Sequence, residues 1–352
     1  MTQSRTITRP CLIASRPSPR HVTAPSIMSA AVHDRYGDAD VVYLDRRAVP
    51  AIAGDEVLVG VEAAGVDRGT WHLLTGQPYL VRLAIGLRRP RVAVLGRDVA
   101  GKVVATGPAV HRLAVGDSVF GMATGSFAEY ASAKEAKLAQ TPHGLSPVEA
   151  AVLGISGTTA LQAIDGAGVK AGAAVLVLGA SGGVGSYAVQ IAHGLGAHVT
   201  GVSRAAKADF VRALGADRVF AYDSADGDDY DGPYDAVIDT GGDTPLSRLR
   251  SMLGPHGTLV IVGGEGGDAV TGMGRQLQAR ILSPFVHQRL TFIVNRERRS
   301  DLERLRHLVE DGIVKPAVDT VYPLDQAAEA VRHLVAGQVK GKVAVAVNPA
   351  PP

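Results

Sequence analysis

Ala180, Gly182 and Gly185 stand in the run VLVLGASGGVG (Val175 to Gly185), where an apolar stretch enters an Ala-x-Gly-x-x-Gly turn and leaves as the helix-forming SYAVQIAHGLG. Residues of this type at this spacing have one chemical use, which is to bring bare backbone N–H groups at the positive end of a helix up to a phosphate. The first small residue makes the tight turn, the second leaves no side chain where a pyrophosphate approaches, and the third lets helix and strand pack closely. Ser181, Gly183 and Val184 complete the turn and are assigned with it. A second strand, His198 to Val202, follows as a βαβ unit requires. The segment reads as a dinucleotide site.

What ends that second strand selects the dinucleotide, because NAD-binding turns place a carboxylate there to accept from the ribose 2′-hydroxyl. Here Ser203 and Arg204 take that place, with Lys207 one turn on. An acid would repel a 2′-phosphate, whereas a hydroxyl and two cations bind it through charge-assisted hydrogen bonds. The expected cofactor is therefore NADPH.

The elements that must position this turn are legible as two textures. Before Leu145 the chain is β-rich, with runs at Glu56 to Val66, Asp98 to Gly107 and Asp117 to Met122 between Gly and Asp turns. After it, strands and helices alternate: helix Glu149 to Ile164, strand AAVLVLG, the turn and its helix, HVTGV, KADFVRALG, RVFAY, YDAVIDT, PLSRLRSML and GTLVIVGG. Such alternation specifies a doubly wound parallel α/β sheet that binds ligands at the carboxyl ends of its strands. A charged helix (Asp301 to Asp311), a helix at Leu324 to Ala336 and a last strand, KVAVAV, close the chain.

Composition bounds the rest. The 352 residues carry 36 basic and 34 acidic side chains, a net charge of +2 that leaves no footprint for nucleic acid, and no uninterrupted apolar run long enough for a spanning helix. With Cys11 the sole cysteine, an internal disulfide is impossible and a reducing, cytoplasmic setting is expected. Residues 1 to 33 contain no acid and four prolines that would break an amphipathic transit helix, so residues 1–27 are expected to be a disordered extension.

In order, AAGVDRGTWHLLTG, LGRDVAGKVVATG, GDSVFG, GSFAEY, ISGTTALQA, the GASGGVG turn, YDAVIDT, GTLVIVGG and GKVAVAV make the chain resemble the medium-chain dehydrogenase/reductase superfamily, in its zinc-free NADPH:quinone oxidoreductase branch. The resemblance implies a GroES-like β-rich catalytic domain (28–148), a Rossmann NADPH-binding domain (149–295) and a return to the catalytic domain (296–352). Zinc-dependent relatives carry an early Cys, a Gly-His-Glu and a four-cysteine lobe. This chain has no Cys near Asp67, Gly96-Arg97-Asp98 in place of Gly-His-Glu, and no such lobe, so no metal is expected.

Without a Lewis acid, a quinone or α,β-unsaturated carbonyl is the natural hydride acceptor. The alternatives are a zinc-free NADP-dependent alcohol or aldehyde dehydrogenase-reductase and a non-catalytic NADPH-binding protein. By resemblance, Tyr79 is a substrate-side phenol able to donate to an oxyanion, with His72 as second donor. Asp67 stands where relatives carry Asn, either pairing with Arg68 as structure or retuning the substrate end. Carried over for the cofactor are Thr158, Tyr222, Gly241 and Gly263, and Phe285 and Val286 from SPFVHQ. A homodimer through the apolar edge at Leu290 to Val294 is also expected.

Overall fold

The computed structural model describes residues 25–224, 230–263 and 272–347. Most of the expected extension, with Cys11, lies outside the described residues. Among the described residues fifteen strands run in chain order: β1 (Ile27–Val32), β2 (Tyr43–Ala48), β3 (Glu56–Val66), β4 (Asp98–Thr106), β5 (Ser118–Met122), β6 (Tyr130–Lys134), β7 (Leu138–Gln140), β8 (Ala174–Leu178), β9 (His198–Ser203), β10 (Arg218–Ala221), β11 (Tyr234–Asp239), β12 (Leu253–Ile261), β13 (Arg289–Phe292), β14 (Val318–Pro323) and β15 (Lys342–Ala346).

Six of them, β8 to β13, form a sheet in the spatial order β10-β9-β8-β11-β12-β13, with every neighbouring pair parallel. The order reverses between β8 and β11, and that crevice is where a doubly wound sheet receives its ligand. β8 is apolar throughout because both of its faces are covered. Val175 and Val177 pack into a core with the helices Gly154–Ala167 and Gly183–Gly194, while Leu176 and Leu178 join Leu249 and Ala279 on the other side.

The second large sheet runs β14-β15-β3-β4-β5-β7, with β6 also on β3. Its antiparallel pairing of β15 with β3 sets Val343 opposite Val66. The chain's last strand therefore returns to the first-half sheet and carries Lys342 to the interdomain cleft. Among the described residues no helix is long and apolar enough to cross a membrane.

The stretch expected as one helix, Glu149 to Ile164, is two: Pro147–Ala151 and Gly154–Ala167. Two long-range contacts explain the break. The Asp98 carboxylate, at the start of β4, accepts the Ile155 N–H at 2.6 Å, and a Cβ on Gly154 would stand 2.5 Å from the same oxygen. A side chain distant in sequence thus caps the second helix, and local periodicity does not reveal that.

Candidate active site

A cleft of about 440 Å³ runs between the two sheets. Its floor is the turn after β8. Gly179 takes a left-handed backbone (φ 73°), and a Cβ on Gly185 would lie 2.1 Å from the Gly179 carbonyl oxygen. Only hydrogen fits there, which is the close helix–strand approach the turn requires. Gly182 is tight as well, its ideal Cβ standing 3.3 Å from the Gly179 oxygen. Gly182 is also the N-cap of Gly183–Gly194 and supplies no side-chain cap, so the first amides of the helix are left to a ligand. Bare glycine and uncapped donors at a helix start fit a dinucleotide pyrophosphate.

At the far end of the cleft lie Ser203, Arg204, Lys207 and Tyr222. The Arg204 Nε donates to the Tyr222 hydroxyl at 3.0 Å, which holds an otherwise mobile guanidinium in place. Asp223, the nearby acid, is turned to the Ala205 N–H at 2.7 Å. Lys207 does more than expected. It is buried, and its Nζ donates to the Gly337 and Val339 carbonyls, each at 2.8 Å, tying the cofactor cleft to the returning tail. That burial, with Arg204 nearby, pulls its ammonium below the ordinary lysine range. One of its three donors remains for a ligand.

At the opposite end, Asp67 caps the helix Arg68–Thr75, its Oδ1 accepting from the Thr70 N–H at 2.7 Å. Its Oδ2 is buried without a partner. Sequence reasoning missed the group beside it. Lys342 is buried, with Nζ 3.3 Å from Asp98 Oδ2 and 3.0 Å from Ser156 Oγ, and it lines the cleft with Ser156. Burial, partly offset by Lys342 and reinforced by Asp67, pushes the Asp98 carboxyl up to about 7. The GRD and GKV motifs each carried one half of this pair, and only the β15–β3 pairing joins them.

His72 lines the cleft with its Nδ1 2.6 Å from the Gln77 carbonyl, so Nδ1 carries the proton and Nε2 is the free nitrogen. Gly241 and Gly263 also line the cleft, as do Thr240 and Thr159. Asp239 fixes the turn after β11 by accepting the Gly241 and Gly242 amides while pairing with Arg275 at 2.6 Å.

Other expected contacts are placed elsewhere. Tyr79 is 48% exposed, lies outside the cleft lining and stacks with Arg82 at 4.8 Å, because its 3₁₀ turn follows a proline on the outer rim. Phe285 is 81% exposed, and Val286 packs on the sheet's outer core. Phe285 ends the 3₁₀ turn Ser283–Phe285 and Val286 follows it, and neither lines the cleft. Thr158 is fully buried, its hydroxyl donating back to the Gly154 carbonyl at 2.7 Å, and its neighbour Thr159 faces the cleft instead. Ala180 is buried beneath the turn and supports it from behind.

This geometry has close counterparts. Residues 53–143 match the alcohol dehydrogenase GroES-like domain, and 214–345 match the model described as zinc-binding dehydrogenase. A chloroplast envelope quinone oxidoreductase homolog from Arabidopsis thaliana is 33% identical, over 84% of this chain and 91% of its own length. The chain belongs to the quinone oxidoreductase-like branch of the medium-chain dehydrogenase/reductase superfamily. An NADPH-dependent alkenal/one oxidoreductase from the same plant is 32% identical over 91% of this chain and 80% of its own length. The quinone oxidoreductase of Coxiella burnetii superposes with a TM-score of 0.81 at 27% identity, covering 92% of this chain and all of that one.

Within this superfamily a catalytic zinc is a standing question, and the side chains here do not fit one. The Lys342 ammonium occupies Asp98, the Arg97 guanidinium pairs with Glu297, and no His, Cys, Asp and Glu cluster of three could hold a metal among the described residues. A nicotinamide dinucleotide, by contrast, fits the glycine floor and the uncapped helix.

Proposed function

We propose that the protein is a zinc-independent, NADPH-dependent oxidoreductase that transfers hydride to a quinone or an α,β-unsaturated carbonyl. The observation that carries this reading is the polarity of the cleft: one end offers a tethered guanidinium, a hydroxyl and an ammonium to a 2′-phosphate, and among the described residues no metal ligand set stands at the other. The curated names of the Arabidopsis relatives, quinone and alkenal/one oxidoreductase, point to the same acceptors.

The bound cofactor supplies the hydride, which goes to the β-carbon of an enone or to a quinone. The chain's residues do the rest. The turn after β8 would hold the pyrophosphate through the uncapped amides of the helix Gly183–Gly194. Val262, Thr159 and Ile155 wall that end against water and hold donor and acceptor at reacting distance. The hydride's electron pair becomes the new bond to hydrogen, the acceptor's displaced π pair moves onto its oxygen, and one proton from solvent, ending on the α-carbon of an enone or the oxygen of a quinone, completes the reduction. His72 Nε2 is the ring nitrogen placed to relay it, since Nδ1 is held by Gln77. A homodimer through the free edge of β13 belongs to the same proposal.

Anaerobic cofactor oxidation by the chelator-treated full chain, with a quinone, an enone and a simple aldehyde in parallel, tests the reading. Turnover of quinone or enone, preferring NADPH over NADH, supports it. Activity confined to the aldehyde, or abolished by the chelator, overturns it.

A further inference from the structure

A second cavity, of about 380 Å³, adjoins the cofactor cleft and is absorbed by nothing above. Neighbouring residues line the two, though no residue lines both. His72 lines the cleft and Leu73, next on the same helix, lines the cavity. Asn295 donates to the Ile155 carbonyl and the Thr159 hydroxyl on the cleft side, and two residues on Glu297 lines the cavity.

The cavity's walls are chemically divided. Leu73, Ile85, Val94 and Met122 offer an apolar surface, while Arg91, Arg97, Lys134 and Lys137 face it with only Glu56 and Glu297 as acids. Those acids are already engaged. The Glu56 carboxylate accepts the Ala53 N–H at 2.9 Å, and Glu297 is shared between Arg97 and Lys137, the latter at 2.6 Å. Lys134 is balanced by Asp55 at 3.4 Å. The Arg91 guanidinium holds the Ala84 carbonyl at 3.0 Å and is in no ion pair among the described residues. Two cations on a single carboxylate, with Arg91 also lining the cavity, leave positive charge in excess beside an apolar wall. The Arg97 and Lys137 side chains keep about a third of their surface exposed, so their field reaches an entering ligand while salt screens part of it.

We infer that this cavity seats the tail of the acceptor and that the tail ends in a carboxylate, so that the preferred substrates are acid-terminated, apolar-bodied enones or quinones. This rests on the reductase reading for the reaction and on the cavity alone for the acid. The Arg97 and Lys137 pair binds the carboxylate, sharing its charge with Glu297, and Arg91 steers it in.

The test compares a vinyl ketone bearing a terminal carboxylate with its methyl ester on the NADPH-supplied full chain, across a series of methylene tethers. The acid is expected to have a kcat/KM about tenfold higher, carried by KM. Added salt reduces the advantage, and in Lys137→Gln and Arg97→Gln the acid-to-ester ratio falls towards one. Equal or better turnover of the ester by the unaltered protein overturns the inference while leaving the reductase reading intact. Should neither ketone turn over, calorimetric titration with octanoate against octanol decides the subsite, and the reductase reading fails only if a quinone is refused as well. Octanoate binding tighter than octanol and weakened by Lys137→Gln supports it, and any other result overturns it.

Discussion

The two ends of the cofactor cleft are built from different materials. The phosphate end is backbone: Gly179 in a left-handed turn, Gly182 at the helix start with no side chain, and Gly185 so close to the Gly179 carbonyl that a methyl would stand 2.1 Å from it. The opposite end is side chains from four distant segments, with Asp67, Asp98, Ser156 and Lys342 converging through sheet pairing. A backbone site fixes its sequence locally, and a side-chain site distributes it. The first end therefore tolerates almost no substitution, and the second tolerates concerted ones.

The largest effect expected from breaking this contrast is at the buried pair. At about pH 8, Asp98→Ala strands the Lys342 ammonium and strips the Ile155 amide of its cap, at a cost of about 3–5 kcal/mol in denaturant unfolding. Asp98→Leu combined with Lys342→Met recovers most of that loss, which no second substitution at the glycine turn achieves. The pair also sets a pH slope. Because folding raises the Asp98 carboxyl from 3.8 to about 7, its contribution to stability is present at low pH and is lost as pH climbs through about 7. Unfolding midpoints at about pH 5 and pH 8 should differ more in the unaltered protein than in Asp98→Asn.

Next in size is Gly185→Ala. The added carbon forces the turn open, lowering stability by about 1–3 kcal/mol and weakening dinucleotide binding, both measurable in one thermal-shift titration with NADPH. Arg204→Ala follows: under the proposed NADPH preference the KM for NADPH rises about tenfold while that for NADH is nearly unchanged, since the guanidinium at the cleft end would bond a 2′-phosphate that NADH lacks. Smallest is Tyr79→Phe, expected to leave kcat/KM within about twofold because the hydroxyl lies on the outer rim.

The same contrast explains what the sequence could disclose. The turn, the strand before it and the Ser203–Arg204 ending were readable because their chemistry is contiguous. The parallel sheet was readable because its strands alternate with helices and because β8, covered on both faces, is apolar throughout. Lys342 was invisible as a site residue: GKVAVAV reads as a terminal strand, and only its register on β3 delivers the ammonium to Asp98. Tyr79 and Phe285 misled for the converse reason. Each lies in a segment near the cleft in chain order, and a 3₁₀ turn carries each to the surface. Thr158 and Thr159 differ by one residue and so by about 100° around the helix, enough to exchange a buried role for a cleft-lining one.

The most direct test of the central claim is the fate of the hydrogen itself. The full chain, freed of metal by chelator, is given NADPH deuterated at C4 on each face in turn together with an enone, and the product is analysed by mass spectrometry and NMR. The account predicts deuterium at the β-carbon from one face only, with the α-hydrogen drawn from solvent. Cofactor consumed without deuterium in the product, or label found on a carbinol carbon, would contradict it.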